Sequence, residues 1–378
     1  MIIGFDVSSV PYGTGVSNYT INLIRNLLKI DKTNTYKIFF SSLRQPLPKE
    51  ISQLVTRPNI KIYHFRIPPT ILEFFWNRLH WFPLEIFIGK CDVFHTWDWT
   101  QPPTIKAKTV TTIHDFTPLL FPETQHPKTI TVFKRKLHWA KLECSRFICV
   151  SQNTKTDLLR LFPTISVDKI TVIYEAAETK YDSFQKLSPL QKSKKIAIIS
   201  KQYGLNKFIL AQGTREPRKN LDRLIKAFLL FKKKYPQSKV ELAISGKYGW
   251  GKEVSPPPDN SVKILGYIPE KDLVALHASS LCLCYPSLYE GFGLPIIKSM
   301  KVGAPVITSN ISSLPEIAGS AAILVNPTSV NDLASALEKI ITSSAIRRQL
   351  IARGFRQSKK FSWINTATQT LKVYSDLC

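Results

Sequence analysis

Two stretches of this 378-residue chain open on the same plan. Near the N-terminus, MIIGFDV is a short apolar run built on Ile2, Ile3, Phe5 and Val7. SSVPYGTGVSN follows as a turn-rich loop, and then Thr20, Leu23, Ile24, Leu27 and Leu28 recur at helical spacing. From residue 207 the plan returns: KFILAQG, the polar turn TREPRKN, then Leu221, Leu224, Ile225 and Phe228 on one helical face, with Asn220 placed as the N-cap. Strand, glycine turn, helix is the opening of an α/β layer fold. The alternation that follows each opening predicts a parallel sheet covered by helices. The two halves share no sequence, only the plan, and the length itself favours two domains over one.

Further strands are expected at YKIFF, IKIYHF, DVFHTW, TVTTI and FICVS in the first half, with a helix over 129–142. In the second half VELAISG, VKILGYI, LCLCYP, APVITSN and AAILVNP read as strands, with a helix at 270–279 after Pro269. Between the halves, ETKYDSFQKLSPLQKSKK is polar and lysine-rich and reads as a linker. The expected division is a Rossmann-like domain over 1–185, a linker over 186–205, a second Rossmann-like domain over 206–360, and a C-terminal helix over 361–378 that returns toward the N-terminal domain. Two such domains place a ligand crevice at the carboxyl ends of their strands.

Composition narrows the function. Hydrophobic residues make up 44% and charged residues 21%, an ordinary globular balance. With no apolar run of 18 residues, no membrane-spanning helix is expected, and the N-terminus reads as a strand and not as a signal peptide. Cys91, Cys144, Cys149, Cys282, Cys284 and Cys378 form no C-x-x-C pair. They read as small buried thiols of a reducing, cytoplasmic protein. A formal net charge of +25 invites anionic partners such as nucleotide phosphates or a lipid surface, although lysine bias on solvated faces explains it equally well. No zinc spacing, RNP-like block or basic zipper points to nucleic acid.

The candidate site residues lie in turns. In PYGTGVSNY, Gly13 and Gly15 allow a tight turn before a helix whose N-terminus suits a phosphate. Position 18 is Asn where a dinucleotide fingerprint needs Gly, and the second strand ends without an acidic residue, so a nicotinamide enzyme is disfavoured. Arg218 and Lys219 bring two cations to the start of the second domain's first helix, where they suit a diphosphate or form a solvated basic turn. His114 and Asp115 follow the strand TVTTI directly; His114 reads as a sugar-facing or proton-moving group or as a structural residue. In EGFGLPIIK, Pro295 fits a helix start and Gly303 its C-terminal cap, so the Gly291, Phe292, Gly293 and Leu294 amides face a helix N-terminus beside Glu290.

Seven stretches in order carry a resemblance: CDVFHTWDWTQPP, TIHDFTPLLFPE, VSQNTKTDL, GTREPRKNLDRLIKAF, GYIPEKDLVALHASS, PSLYEGFGLP and GAPVITSNISSLPEIAG. Together they resemble retaining glycosyltransferase family 4, with its GT-B fold of two Rossmann-like domains. The mannosyltransferase-like subgroup of bacterial surface-polysaccharide assembly is the nearest likeness. The resemblance implies a nucleotide-sugar donor, GDP- or UDP-linked, with no separate cofactor and no metal. It places Gly15 against the donor diphosphate, Arg218 and Lys219 as its counter-ions, and Ile268 with its backbone at the nucleobase. The Phe292, Gly293 and Leu294 amides fall on phosphate or sugar, and Glu290 and His114 on the donor sugar. The acceptor would be a glycan or a polyprenyl-linked glycan.

The family pattern has a second glutamate where this chain has Lys298, a residue with three donors and no acceptor. Three readings follow: Lys298 pairs with the nucleotide phosphates, the donor binds differently, or the protein is an impaired partner subunit. Losing one charge-assisted contact pair is worth about 1.5–3 kcal/mol, roughly 10- to 150-fold in affinity. If the site is merely weakened, Lys298→Glu raises turnover. A sugar-nucleotide epimerase or a phosphorylase of the same fold is the remaining enzymatic alternative. On the acceptor side, ILEFFWNRLHWFPLEIF (71–87) is strongly aromatic. KTITVFKRKLHWAKLECSRF (128–147) is basic with an apolar stripe of Phe133, Leu137, Ala140 and Cys144. That stripe lies on an anionic membrane or packs on the chain's own sheet.

Overall fold

A computed structural model describes residues 1–56, 58–97, 99–249, 251 and 255–378. Asp98, inside the CDVFHTWDWTQPP stretch, lies outside the described residues. The chain divides into two units, Met1–Glu175 with Ser362–Cys378, and Ala176–Phe361.

The first unit holds seven parallel strands: β1 (Ile2–Asp6), β2 (Thr35–Ser41), β3 (Ile60–Phe65), β4 (Val93–Thr96), β5 (Lys108–Ile113), β6 (Arg146–Cys149) and β7 (Ile170–Val172). Their order in the sheet is β3-β2-β1-β4-β5-β6-β7. The second unit holds β8 (Phe208–Gln212), β9 (Glu241–Ser245), β10 (Val262–Gly266), β11 (Cys282–Tyr285), β12 (Val306–Ser309) and β13 (Ala322–Val325), in the order β10-β9-β8-β11-β12-β13. Both sheets therefore reverse strand order beside their first strand, at β1/β4 and at β8/β11. All the strands expected from sequence form. β7, only three residues long, escapes a pattern that needs at least four.

The lysine-rich linker is instead two helices, Thr179–Gln185 and Pro189–Tyr203. Local signals specify the second: Ser188 and Gln191 make a reciprocal capping box, Pro189 occupies the first turn, and Gly204 ends the helix at φ 62°. The polar composition hid them, because only Ile199 of that helix is buried.

The apolar stripe of the basic helix, Pro127–Glu143, faces inward. Phe133, Leu137, Ala140 and Cys144 pack with Ile113, Phe116 and Phe147. This corrects the membrane-facing reading of that stripe. The aromatic stretch splits: Leu72, Trp76 and Leu84 join the core with Phe39 and Phe94, while Trp81, Phe82 and Ile86 stay exposed.

The C-terminal helix Trp363–Ser375 belongs to the first unit and packs on helix Gly15–Ile30. Tyr374 is fully buried, with its hydroxyl 2.5 Å from His95 Nδ1. The other His95 nitrogen lies 2.8 Å from Thr112 Oγ1, and burial, with His114 and Lys136 adding to it, lowers the His95 pKa to about 3. His95 is thus a neutral core histidine that ties the last helix to the sheet.

Candidate functional site

The second unit concentrates charge at its switch point. β8 ends at Gln212 and β11 at Tyr285, and the loops that leave them carry the cluster. The first loop turns through a tight approach of backbones. Gly246 has φ +142°, and a Cβ there would sit 1.8 Å from the Gly213 carbonyl oxygen, so any side chain would displace the turn that leads to Arg218. Asn220 stands before helix Leu221–Lys234 at φ 60°, and its side chain does not cap the helix. Its amide instead donates to the Pro286 and Pro327 carbonyls at 3.0 and 2.7 Å, tying its own loop to those that follow β11 and β13. The N-cap expected of Asn220 is therefore a loop-to-loop tie.

Glu290 is the centre. Lys219 Nζ and the Tyr285 hydroxyl each donate to Oε1 at 2.6 Å, and Arg218 Nη1 donates to Oε2 at 2.9 Å. Arg218 also donates to the Tyr289 carbonyl at 2.6 Å and to Glu216 at 2.5 Å. Glu290's backbone is clasped as well, by Ser312 and Ser313 on its carbonyl at 2.7 and 2.9 Å. Burial alone raises a carboxyl pKa, but Arg218 and Lys219 outweigh it and pull Glu290 down to about 2. Lys219 is lowered by burial and by Arg218, against the pull of Glu290. The two cations are thus matched by two carboxylates, Glu216 and Glu290. A solvated basic turn is ruled out; the cluster is compact and charge-balanced.

Helix Leu294–Val302 starts past Gly291, Phe292 and Gly293, with Pro295 in its first turn and Gly303 at φ 83° closing it, as the sequence predicts. Gly293 has φ +106°, and a Cβ there would meet Leu314 Cδ2 at 2.9 Å. Phe292 is buried edge-on against Phe361 at 5.8 Å, its carbonyl held by Ser313. Ile268 is buried between β10 and helix Glu270–Ser279.

Lys298 is paired within its own unit. It is 6% exposed, and its ammonium lies 3.0 Å from both Glu178 and Glu270 and 5.5 Å from the Tyr181 ring centroid. Burial alone lowers its pKa, but the two carboxylates outweigh this and hold it above the ordinary lysine value. A phosphate counter-ion role is corrected by this geometry, since both its charge and its exposure are used within the unit. Glu178 lies in the stretch read as linker, so no local pattern pointed to this partner.

In the first unit, Gly15 begins helix Gly15–Ile30 behind a capping box of Thr14 and Ser17, and a Cβ on Gly15 would meet nothing within 4 Å. The space above this helix end is open. His114 Nδ1 lies 2.9 Å from Glu175, which is buried, and the ring stands edge-on to Tyr19 at 4.6 Å. Glu175 orients the imidazole; no sequence spacing links these two residues.

Residues 13–181 match the description Glycosyltransferase Family 4, and residues 193–357 match Glycosyl transferases group 1. The chain belongs to the family 4 glycosyltransferases. It is similar to the O-antigen chain mannosyltransferase B of Escherichia coli, 28% identical with 99% of each chain covered. It is also similar to the serotype-specific mannosyltransferase WbdA of Escherichia coli, 31% identical over 71% of this chain but spanning only 34% of that protein. A solved Rickettsia africae glycosyltransferase shares the fold of this glycosyltransferase, with TM-score 0.69 at 19% identity, covering 100% of this chain and 98% of that one. No helix among the described residues is long and apolar enough to cross a membrane.

The Lys298 geometry carries a stability prediction for the same variant. Lys298→Glu would confine three carboxylates, at 178, 270 and 298, in one buried pocket. Breaking a buried pair costs about 3–5 kcal/mol, so the melting temperature should fall by roughly 10 °C. Differential scanning calorimetry checks this; an unchanged or higher melting temperature would contradict the ion cluster.

Proposed function

We propose that this glycosyltransferase moves a mannosyl group, with retention, from a nucleoside-diphosphate donor to a glycan or lipid-linked glycan acceptor. The observation that carries the reading is Glu290 held in a desolvated, charge-balanced cluster with Arg218 and Lys219 at the β8/β11 switch point, beside the start of a helix. The mannosyltransferase names of full-length relatives supply the sugar. Donor entry replaces part of the Arg218 and Lys219 pairing by phosphate oxygens, while the Phe292, Gly293 and Leu294 backbone adds amide donors. Departure of the nucleoside diphosphate concentrates negative charge on the phosphates, where these fixed donors need no reorganisation. Glu290 keeps one carboxylate edge for the sugar hydroxyls and steadies the oxocarbenium-like sugar. His114, oriented by Glu175, is the second sugar-facing candidate. Ile268 offers its backbone to the nucleobase.

Lys298 has a different part in this reading. It anchors Glu270, whose carboxylate is also 3.0 Å from Lys180 and is 36% exposed at the side chain. Despite its burial, the two lysines hold Glu270 ionised, with a pKa below the ordinary value. Two positions from Ile268, Glu270 supplies the acceptor pair for ribose hydroxyls that a lysine at 298 does not. This favours an active enzyme over a silent partner subunit.

The test is initial-rate transfer from GDP-mannose to a mannoside acceptor, with the product's anomeric configuration read by NMR. Retention is expected, and excess EDTA leaves the rate unchanged. Glu290→Gln lowers kcat about 100-fold or more. Glu270→Gln mainly raises donor KM, by about 10- to 150-fold. An inverted product, or full activity of Glu290→Gln, would refute the reading.

We place the enzyme at the cytoplasmic membrane face. Five of its six cysteines are buried free thiols and the sixth is also unpaired, which suits a reducing compartment. The exposed Trp81, Phe82 and Ile86, in a chain of net charge +25, suit an anionic interface. Co-sedimentation with phosphatidylglycerol vesicles is expected to fall when Trp81 and Phe82 become alanine. Equal sedimentation of the double variant would contradict this attachment.

A further inference from the structure

A cavity in the second unit shares no lining residue with the Glu290 cluster. It lies among three helices, Thr179–Gln185, Pro189–Tyr203 and Glu270–Ser279. Its volume of about 480 Å³ falls within the roughly 300–1,000 Å³ usual for small-molecule sites. Helix Pro189–Tyr203 packs on Glu270–Ser279, yet Ile199 is its one buried residue. Ile198, which also lines the cavity, is left 63% exposed. A helix that hides so little of itself in its own unit keeps apolar surface for another contact.

The buried part of the lining is apolar, and the exposed part carries cations. Phe184, Ile199 and Val274 are buried there, with Leu187 half-buried beside them. Lys180, Lys195 and Lys271 also line the cavity. Lys195 and Lys271 are exposed, and neither has a carboxylate partner among the described residues. Asp272 is a lining residue too, but its carboxylate already accepts from the Tyr203 hydroxyl at 2.9 Å and from the Gln202 amide at 3.4 Å. Lys180 differs from the other two lysines. Its ammonium lies 3.0 Å from Glu270, the carboxylate that Lys298 also holds at 3.0 Å. One side chain therefore belongs both to the cavity and to the charge network beside it.

A small organic anion matches these features. Two unpaired ammonium groups take a phosphate or carboxylate as point charges, and an apolar body covers Ile198 and the ring of Phe184. A neutral alkyl chain would leave the lysines unused, and inorganic phosphate would leave the apolar wall wet. A concavity of this volume fits a dissolved molecule better than the plane of a lipid surface. We propose that this cavity is an effector site for a small organic anion, coupled to Glu270 through Lys180. The bound anion competes for the Lys180 ammonium. Glu270, still paired with Lys298, then regains an acceptor position for the ribose hydroxyls of the nucleotide. Occupancy thus tightens nucleotide binding, and by linkage the nucleotide tightens anion binding by the same factor. The coupling rests on the part proposed for Glu270 in donor binding; the anion site stands without it.

The experiment is calorimetric titration of hexyl phosphate into the full chain, without and with saturating GDP, beside titrations of hexanol and of inorganic phosphate. Wild type is expected to bind hexyl phosphate more tightly than either fragment. The double variant Lys195→Ala with Lys271→Ala should bind it about tenfold more weakly, with its affinity for GDP alone unchanged. In wild type, saturating GDP should raise hexyl phosphate affinity about fivefold or more, and Lys180→Ala should remove that gain. Hexyl phosphate affinity no better than that of a fragment, or equal in wild type and double variant, would overturn the site. Loss of hexyl phosphate binding in the presence of GDP would also overturn it, by placing the anion among the donor's own phosphate contacts. Retention on phosphatidylglycerol vesicles that falls in the double variant, with no hexyl phosphate binding, would give the lysines to a lipid surface instead. An unchanged affinity with GDP bound would overturn the coupling. If GDP does not bind at all, the donor reading falls, and the comparison of wild type with the double variant tests the anion site by itself.

Discussion

The second unit is organised around one desolvated carboxylate. Glu290 accepts five short contacts when its backbone carbonyl's ties to Ser312 and Ser313 are counted with those from Lys219, Tyr285 and Arg218. Removing one partner of a buried pair leaves an uncompensated charge, so these groups stay together or the loops move. The unusual backbone around them follows from that demand. Asn220 takes positive φ and ties its loop to those after β11 and β13, Gly213 and Gly246 pass within a distance no side chain allows, and Ser312 turns at φ 61° to reach Glu290. Local strain of this kind persists where surrounding contacts over-determine it.

The same principle explains Lys298. A cation in the place of a carboxylate would be a defect if nothing answered it. Here Glu178 and Glu270 answer it, and Lys180 shares Glu270, so the local charge pattern is inverted and still balanced. In the proposed reading Glu270, at the start of helix Glu270–Ser279, supplies the carboxylate that position 298 lacks.

Much of the fold was legible because parallel strands buried on both faces leave continuous apolar runs, and KFILAQG, LCLCYP and APVITSN are such runs. Pro295 and Gly303 marked their helix for stereochemical reasons that need no partner. The helix Pro189–Tyr203 was hidden by lysines, although its Ser-Pro-x-Gln start and Gly204 stop were in plain view. In the site, the types Arg218, Lys219, Glu290 and His114 were legible, but their pairings were not. Glu175 with His114, Glu178 with Lys298 and Asn220 with Pro327 are contacts across 61, 120 and 107 positions, which no local pattern encodes.

The central claim is that Arg218 and Lys219, held by Glu290, form the diphosphate site. Isothermal titration of GDP and UDP into wild type and Arg218→Ala, with EDTA present throughout, tests it most directly. The account predicts binding of at least one nucleotide by wild type, and a loss of about 10- to 150-fold in the variant. Equal affinity of wild type and variant for the bound nucleotide would contradict it.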